Sequence, residues 1–218
     1  MRVLITGAAG GIGKATAKLF LERGHEVHGL DIKQSDIIDE QYTHHIADVR
    51  DTAAFPEDLQ PEILVNCAGV QDTGEDIDIN LKGVINITEF YAINNPKIKS
   101  VVNVGSASAH TGSEFPEYAA SKGGLLAYTK NVALRLAPKA ICNSIDPGGV
   151  LTELNQCVIE DEKLWNQIMQ LTPLKRWATP EEIAEWIYFV GVNNRFMTGQ
   201  NLLIDGGEAG NANFIWPE

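Results

Sequence analysis

Short β-branched runs alternate with helical stretches along almost the whole chain, and this alternation limits the possible folds more than any other feature. The runs are brief and apolar, as strands buried on both faces of a helix-covered parallel sheet require. Alternating β and α units predict a doubly wound α/β domain with a mostly parallel seven-stranded sheet flanked by helices. We expect strands at 3–5, 27–30, 44–47, 63–65, 101–104, 140–145 and 202–204, and helices at about 12–23, 78–94, 118–136 and 181–190.

Length and charge set the next limits. The 218 residues suffice for one domain, 1–218, that buries its core without metal or disulfide support. A net charge of -12 disfavours nucleic acid and anionic membranes as partners, because phosphates would be repelled. The chain reaches glycines too early for a signal peptide, and no apolar run approaches the roughly 20 residues that span a bilayer. The few cysteines are dispersed, so we expect no metal site and a cytoplasmic location.

A glycine-rich turn follows the first predicted strand and opens the first helix. Glycines at such a turn let backbone N–H groups approach a pyrophosphate at the helix N-terminus. The turn alone is weak evidence, since many strand-to-helix turns use glycine. The candidate cofactor-binding residues here are Gly7, Ala9, Gly10, Gly11, Ile12 and Gly13.

Asp31 strengthens this interpretation because it ends the second predicted strand. A carboxylate in that position can accept hydrogen bonds from both hydroxyls of an adenosine ribose. A 2′-phosphate would meet the same charge unfavourably, so the sequence favours NAD over NADP. The alternative is that Asp31 caps a turn or a helix.

Tyr118 and Lys122 lie one helical turn apart on a predicted helix, so the phenol and the ammonium share one face. A tyrosine with an ordinary pKa of about 10 is a poor acid or base at neutral pH. A neighbouring cation favours its phenolate and brings it into range for proton transfer. This spacing of a tyrosine and a lysine is common, and by itself it usually indicates a solvated helix face.

Short motifs accompany these features in a fixed order. They are Thr6 to Gly13, Asp48-Val49, Asn66-Cys67-Ala68-Gly69, Asn80-Leu81-Lys82-Gly83, Ser106, Tyr118 with Lys122, and Pro147-Gly148 followed by Val150 and Thr152. With this order the chain resembles the short-chain dehydrogenase/reductase family from about residue 1 to 207. Its segments at 180–184, 198–200 and 205–207 are similar to those of bacterial 3-oxoacyl-(acyl-carrier-protein) reductases.

The resemblance implies a Rossmann-type domain that binds NAD and interconverts a secondary alcohol and a ketone by hydride transfer. Tyr118 would be the general acid or base, and Lys122 would bind the nicotinamide ribose and favour the phenolate. Ser106 would hold the substrate oxygen, and Asn80 would support a proton relay besides bonding backbone. A homodimer or homotetramer is implied in the same way. The cofactor site would be completed by Asp48, Val49, Asn66, Ala68, Gly69, Pro147, Gly148, Val150 and Thr152.

Three positions depart from the family's pattern. Ser106 precedes the tyrosine by one residue fewer than is common, which leaves Ser108 as a second candidate for the substrate contact. Gly105 stands where a second serine is frequent, and Cys67 replaces an asparagine. The stretch after Cys67 is also too short for the helix that the family normally places there, so 71–78 should be little more than a loop.

The segments that line the substrate pocket in this family correspond to 110–117, 149–154 and 152–172. The side chains that they offer to a pocket are mostly apolar and include no cluster of arginines, which favours a neutral ketone or alcohol. The stretch 152–172 is either a mobile flap over the substrate or an ordinary surface helical pair. Its side chains and those of the other two segments include His110, Phe115, Leu151, Leu154, Trp165 and Met169.

Two alternatives remain open at this point. A 3-oxoacyl-carrier-protein reductase fits the C-terminal segments, but such enzymes commonly use NADPH and a basic docking patch, which Asp31 and the acidic charge disfavour. A non-catalytic NAD-binding sensor or scaffold would typically lose the tyrosine or the lysine, and both are present. Phe214 and Trp216 in the tail would either close a neighbouring subunit's pocket or pack on the surface.

Overall fold

The computed structural model describes residues 1–113 and 115–210, and within them seven strands form one parallel sheet. The strands are β1 (Arg2–Thr6), β2 (Glu26–Asp31), β3 (Tyr42–Ile46), β4 (Ile63–Asn66), β5 (Ser100–Val104), β6 (Ile141–Pro147) and β7 (Asn201–Ile204). Their order across the sheet is β3-β2-β1-β4-β5-β6-β7, so the winding reverses between β1 and β4. The predicted doubly wound α/β fold is confirmed.

Helices connect the strands. The main ones are α1 (Gly11–Glu22), α2 (the consecutive stretches Asp78–Gly83, Val84–Thr88 and Glu89–Ile93), α3 (Ser108–Thr111), α4 (Pro116–Leu136), α5 (Gln156–Ile159), α6 (Glu162–Leu171) and α7 (Pro180–Tyr188), the last continued by Phe189–Asn193. Short 3-10 turns occupy Thr52–Ala54 and Glu153–Asn155.

The central strands are buried on both faces, as their continuous apolar character predicts. Every residue of β4 and β5 is buried. Neighbouring positions point alternately into two hydrophobic clusters: Leu64 and Val101 belong to one, and Val65 and Val102 to the other. Each such side chain contributes about 1.5–3 kcal/mol on burial, so helices are required on both sides of the sheet.

The carboxyl ends of the inner strands meet at one edge of the sheet. Parallel pairing aligns Thr6 with Leu30, and Val104 with Ile145. The Thr6 hydroxyl also accepts hydrogen bonds from the backbone N–H groups of Cys67 (3.0 Å) and Ala68 (3.1 Å). The loops that follow β1, β2, β4, β5 and β6 therefore open on the same side, where doubly wound sheets bind their ligands.

The third strand spans Tyr42–Ile46 rather than 44–47, so it begins two residues earlier than predicted. Its position is set by pairing with β2, which joins Val27 to Tyr42 and Asp31 to Ile46. The loop predicted at 71–78 is present over 71–75, after which the chain turns helical. The stretch 152–172 is a short 3-10 turn followed by α5 and α6.

No helix in the described ranges is both long enough and apolar enough to cross a membrane. The tail residues Phe214 and Trp216 lie outside the described residues. The assignment of 1–218 to a single domain and the cytoplasmic location stay predictions.

Candidate active site

The glycine turn after β1 brings two backbone segments into direct contact. Gly7 has a φ of 69°, and a Cβ there would lie 2.8 Å from Cα of Ala68. A Cβ on Gly13 would run into the Gly7 carbonyl. These two glycines are therefore required for the first turn of α1 to pack against the ends of β1 and β4.

Gly10 serves a different purpose at the same turn. It is the N-cap of α1, its backbone is extended, and nothing lies within 4 Å of the position a Cβ would take. The helix has no side-chain cap and no acidic residue in its first turn. An open surface of backbone N–H groups at a helix N-terminus fits the diphosphate of a dinucleotide.

Asp31 lies beside this turn and holds part of it in place. Its Oδ2 accepts a hydrogen bond from the backbone N–H of Ala9 at 3.0 Å, and its Oδ1 accepts one from Lys33 N–H at 2.9 Å. Each carboxylate oxygen has a further lone pair, so the side chain can still receive ribose hydroxyls. The structure thus brings Asp31 and the glycine turn together, as the sequence predicts.

Asp48 has a partner that the sequence reasoning missed. Arg50 donates to both of its carboxylate oxygens, with Nη2 2.6 Å from Oδ2, and also contacts Glu75 in the shortened loop. The hydrogen bonds from Arg50 hold the pKa of the Asp48 carboxyl below its usual range. Next to it Val49 is buried and lies against Gly83, where a Cβ would collide with it.

Asn66 lies in the interior rather than on the open side of the sheet. Its Nδ2 donates to Thr88 Oγ1 (3.0 Å) and to Asn103 Oδ1 (2.8 Å), and the residue is 1% exposed. The loop that follows Asn66 lies closer to Asn80 and Lys122. A Cβ on Gly69 would lie 3.1 Å from Oδ1 of Asn80 and 3.7 Å from Nζ of Lys122.

Tyr118 and Lys122 meet on one face of α4, as their spacing predicts. The Lys122 Nζ lies 5.8 Å from the centroid of the Tyr118 ring and donates to the Val104 carbonyl at 2.9 Å. Lys122 is 6% exposed, and this burial lowers the pKa of its ammonium to about 8, with Cys67 and Asp146 acting in the opposite direction. An ammonium anchored at the end of β5 and next to a phenol can stabilise the phenolate.

Asn80 reaches the same site from α2. Its side-chain amide binds Val70 twice, accepting from the backbone N–H at 2.8 Å and donating to the carbonyl at 2.9 Å. It also donates to Ser121 Oγ at 3.3 Å. The predicted backbone-bonding role is present, and it fixes the loop after β4 against α4.

Ser106 and Ser108 are both buried immediately after β5. The Ser106 hydroxyl accepts a hydrogen bond from Ser108 N–H at 3.2 Å, and Ala107 N–H donates to the Pro147 carbonyl. The bond from Ala107 to Pro147 continues the β5–β6 pairing past the strand ends. Ser106 therefore stands at the carboxyl edge of the sheet, on the turn that leads into α3.

The Pro147-Gly148 turn connects this edge to the glycine turn. Gly148 N–H donates to the Ile204 carbonyl at 3.0 Å, and Val150 pairs with Ala178. Thr152 Cγ2 lies 3.4 Å from the position of a Cβ on Gly11. The predicted residues on this turn therefore border the same cleft as the start of α1.

The buried ammonium of Lys122 gives a prediction for stability. Its folded pKa of about 8 is below the unfolded value of 10.5, so between these pH values only the unfolded chain binds the proton. The free energy of unfolding of the cofactor-free protein should rise by about 3 kcal/mol across that window relative to Lys122→Met. Urea denaturation of both proteins at the two ends of the window measures the difference, and parallel pH profiles would contradict it.

The chain matches the family profile described as enoyl-(acyl carrier protein) reductase over residues 63–208, and one described as RmlD substrate binding domain over residues 1–90. A 3-oxoacyl-(acyl-carrier-protein) reductase of Thermotoga maritima is 33% identical over 238 residues, which cover 94% of this chain and 96% of the relative. A 4-hydroxyisoleucine dehydrogenase complexed with NADH has a TM-score of 0.89 and 30% identity, covering 97% of this chain and 99% of that one. A structure from Agrobacterium tumefaciens with bound NADP has a TM-score of 0.88 and 26% identity, covering 96% of each chain.

The fold and these similarities define a nicotinamide-dependent oxidoreductase. The chain belongs to the short-chain dehydrogenase/reductase family, whose members act on CH–OH groups or on the corresponding carbonyls. The resemblance predicted from the motifs is confirmed, and so is the assignment as an enzyme.

Proposed function

We propose that this enzyme interconverts a secondary alcohol and a ketone with NAD(H), using Tyr118 as general acid and base. One observation carries the proposal: the buried Lys122 ammonium lies between the Tyr118 ring and the Val104 carbonyl at the carboxyl end of β5. This position is at the edge of the sheet that also carries Ser106 and Asp31.

In the direction of oxidation, the Tyr118 phenolate accepts the proton of the alcohol hydroxyl. The electron pair of the carbinol C–H bond leaves with its hydrogen, and the C–O bond becomes a carbonyl. Bound NAD⁺ supplies the acceptor for that hydride. The proton passes from the Tyr118 hydroxyl to solvent, so one alcohol and one NAD⁺ give one ketone, one NADH and one proton.

Lys122, Ser106 and Asn80 stabilise charge at the reacting groups or hold those groups in place. Lys122 favours the phenolate because its ammonium lies beside the phenol in a buried site. Ser106 donates to the substrate oxygen and stabilises charge that develops there. Asn80 holds the loop that carries Gly69. In this proposal it also supports the proton relay.

The preference for NAD rests on charge at the end of β2. Asp31 would repel a 2′-phosphate, and Lys14 on the first turn of α1 is already paired with Asp36 at 2.7 Å. Asp31→Asn keeps the shape and an oxygen for the Ala9 N–H while removing the charge. We expect it to raise the NADP-to-NAD ratio of kcat/KM at least about fivefold, since removing one like charge near a phosphate changes binding by about 1–3 kcal/mol.

Steady-state kinetics with both coenzymes, for the unaltered enzyme and for Asp31→Asn, measure this ratio. Asp39→Asn is the matched control, because it removes a carboxylate from the same β2–β3 connection that accepts from Gln41 N–H and contacts neither the glycine turn nor Lys14 among the described hydrogen bonds. A preference for NADP in the unaltered enzyme would show that the ribose assignment is wrong.

A second candidate is the reduction of 3-oxoacyl groups carried on acyl carrier protein, the activity named for the Thermotoga maritima relative. It uses the same proton donor and differs in the substrate and its carrier. Assays with NAD⁺ and a panel of secondary alcohols, beside assays with a 3-oxoacyl carrier protein and either reduced coenzyme, separate the two. Turnover of the carrier-bound substrate alone would favour this second candidate.

We also propose a homodimer or homotetramer. Two large apolar side chains are exposed on neighbouring helices, Phe90 at 42% on α2 and Leu134 at 80% on α4. Exposed aromatic and aliphatic groups on packed helices are typical of surfaces that bury each other in oligomers.

A further inference from the structure

A histidine–aspartate pair follows Ser106, with its carboxylate buried and its histidine partly exposed, and has no part in the reaction described above. The Nε2 of His110 is 2.6 Å from Oδ2 of Asp146, whose side chain is 0% exposed. We propose that His110, oriented by Asp146, binds a second hydroxyl of the substrate close to the reacting carbon. This inference rests on the proposed function and narrows its substrates to diols and polyols.

The pair is built into the ends of two central strands. Asp146 belongs to β6, and its Oδ1 has no hydrogen-bond partner among the described residues. A Cβ on Gly105 would collide with that oxygen, so the carboxylate needs glycine at the position where the family frequently has serine. Burial of a carboxylate costs several kcal/mol unless it is paired, and the structure meets that cost with His110.

The two edges of the His110 ring have different surroundings, and these show how the ring is oriented. The Nε2 edge of His110 is turned toward the fully buried Asp146, while the side chain as a whole is 28% exposed. The exposed part is therefore the edge away from Asp146. Nδ1 is the ring nitrogen that takes no part in the contact with Asp146.

The position of α3 places the exposed edge of the His110 ring near Ser106 and Tyr118, which are proposed to hold the substrate oxygen. The helix begins two residues after Ser106 and packs against α4, which carries Tyr118. A substrate whose oxygen is held by Ser106 and Tyr118 therefore presents its neighbouring substituents toward His110.

The charge of the pair favours a neutral group over an anion. Burial raises the pKa of the Asp146 carboxyl, and the hydrogen bond from His110 acts in the opposite direction. The imidazole already has the Asp146 carboxyl as its partner, so it offers a substrate carboxylate no unpaired cation. A hydroxyl can donate or accept, so the contact forms with either tautomer of the ring.

The test compares vicinal cyclohexanediol with cyclohexanol, which differ only in the second hydroxyl. We expect the unaltered enzyme to favour the diol about tenfold in kcat/KM, and His110→Phe to lose this preference. The loss should lie in KM, because the second hydroxyl is bound equally before and during the reaction. His110→Gln should keep part of the preference, since its amide can bond both Asp146 and a hydroxyl.

His25→Phe is the control, as it makes the same replacement directly before β2, at the opposite edge of the sheet from Ser106, where the ring contacts Tyr188. Thermal denaturation and NADH binding establish that each variant is folded. If His110→Phe does not fold, the diol preference of His110→Gln is measured in its place. An unchanged diol preference in His110→Phe, or equal activity on both alcohols before mutation, would overturn the inference. Activity on neither alcohol nor any other secondary alcohol would instead overturn the proposed function.

Discussion

Replacing Tyr118 with phenylalanine is expected to lower kcat about a thousandfold while leaving the fold and the affinity for NADH unchanged. A positioned proton donor typically contributes between about a hundred- and ten-thousandfold, and the phenylalanine ring keeps the packing beside Lys122. The measurement is the rate of NAD⁺ reduction with a secondary alcohol, together with a fluorescence titration of NADH.

Tyr128→Phe is the matched control for this experiment. Tyr128 lies on the same helix, and its hydroxyl donates to Glu89 at 3.2 Å, away from Lys122. The control loses one hydrogen bond, which costs about 1 kcal/mol of stability, and should keep its kcat. If Tyr118→Phe and Tyr128→Phe were equally active, Tyr118 would not be the proton donor.

A carboxylate at position 10 should weaken NADH binding about a hundredfold without destabilising the protein. Gly10→Asp places a negative charge at the N-terminus of α1, where nothing lies within 4 Å and the backbone is extended. Aspartate is a good N-cap and complements the helix dipole, so the melting temperature should hold or rise. The same charge repels the diphosphate by roughly 3 kcal/mol.

Gly10→Asn separates charge from size in this experiment. Asparagine caps a helix about as well as aspartate and has nearly the same shape, but it is neutral. We expect its NADH affinity to stay within about fivefold of the unaltered enzyme, a difference of about 1 kcal/mol. Equal affinities of the Asp and Asn variants would show that the diphosphate does not lie at this helix end. Calorimetric titration with NADH provides both values.

Local pattern was enough to predict the sheet and the proximity of several candidate site residues. Runs such as 63–65 and 101–104 are continuous and apolar, and they form the buried centre of the sheet. Tyr118 and Lys122 are one helical turn apart, so their meeting follows from helix geometry once α4 exists. Asp31 ends β2 for the same kind of reason, because a strand ends where its apolar run ends.

Contacts between distant polar residues could not be predicted in this way. The Asp146 carboxylate and the His110 ring are brought together by β5–β6 pairing that continues past the strand ends. The link from Arg50 to Glu75 depends on how the shortened loop folds back. The third strand was misplaced by two residues because its mixed polar sequence is positioned by pairing with β2 rather than by its own periodicity.

We propose that one alcohol gives up its proton to Tyr118 and its hydride to bound NAD⁺. A secondary alcohol deuterated at its carbinol carbon tests this directly, in a single turnover followed by mass spectrometry of the coenzyme. We predict that the reduced coenzyme carries the deuterium and that its formation is slower than from the undeuterated alcohol. The Tyr118→Phe variant should form almost no reduced coenzyme. Reduced coenzyme without deuterium, or reduced coenzyme formed equally well by Tyr118→Phe, would contradict the proposed reaction.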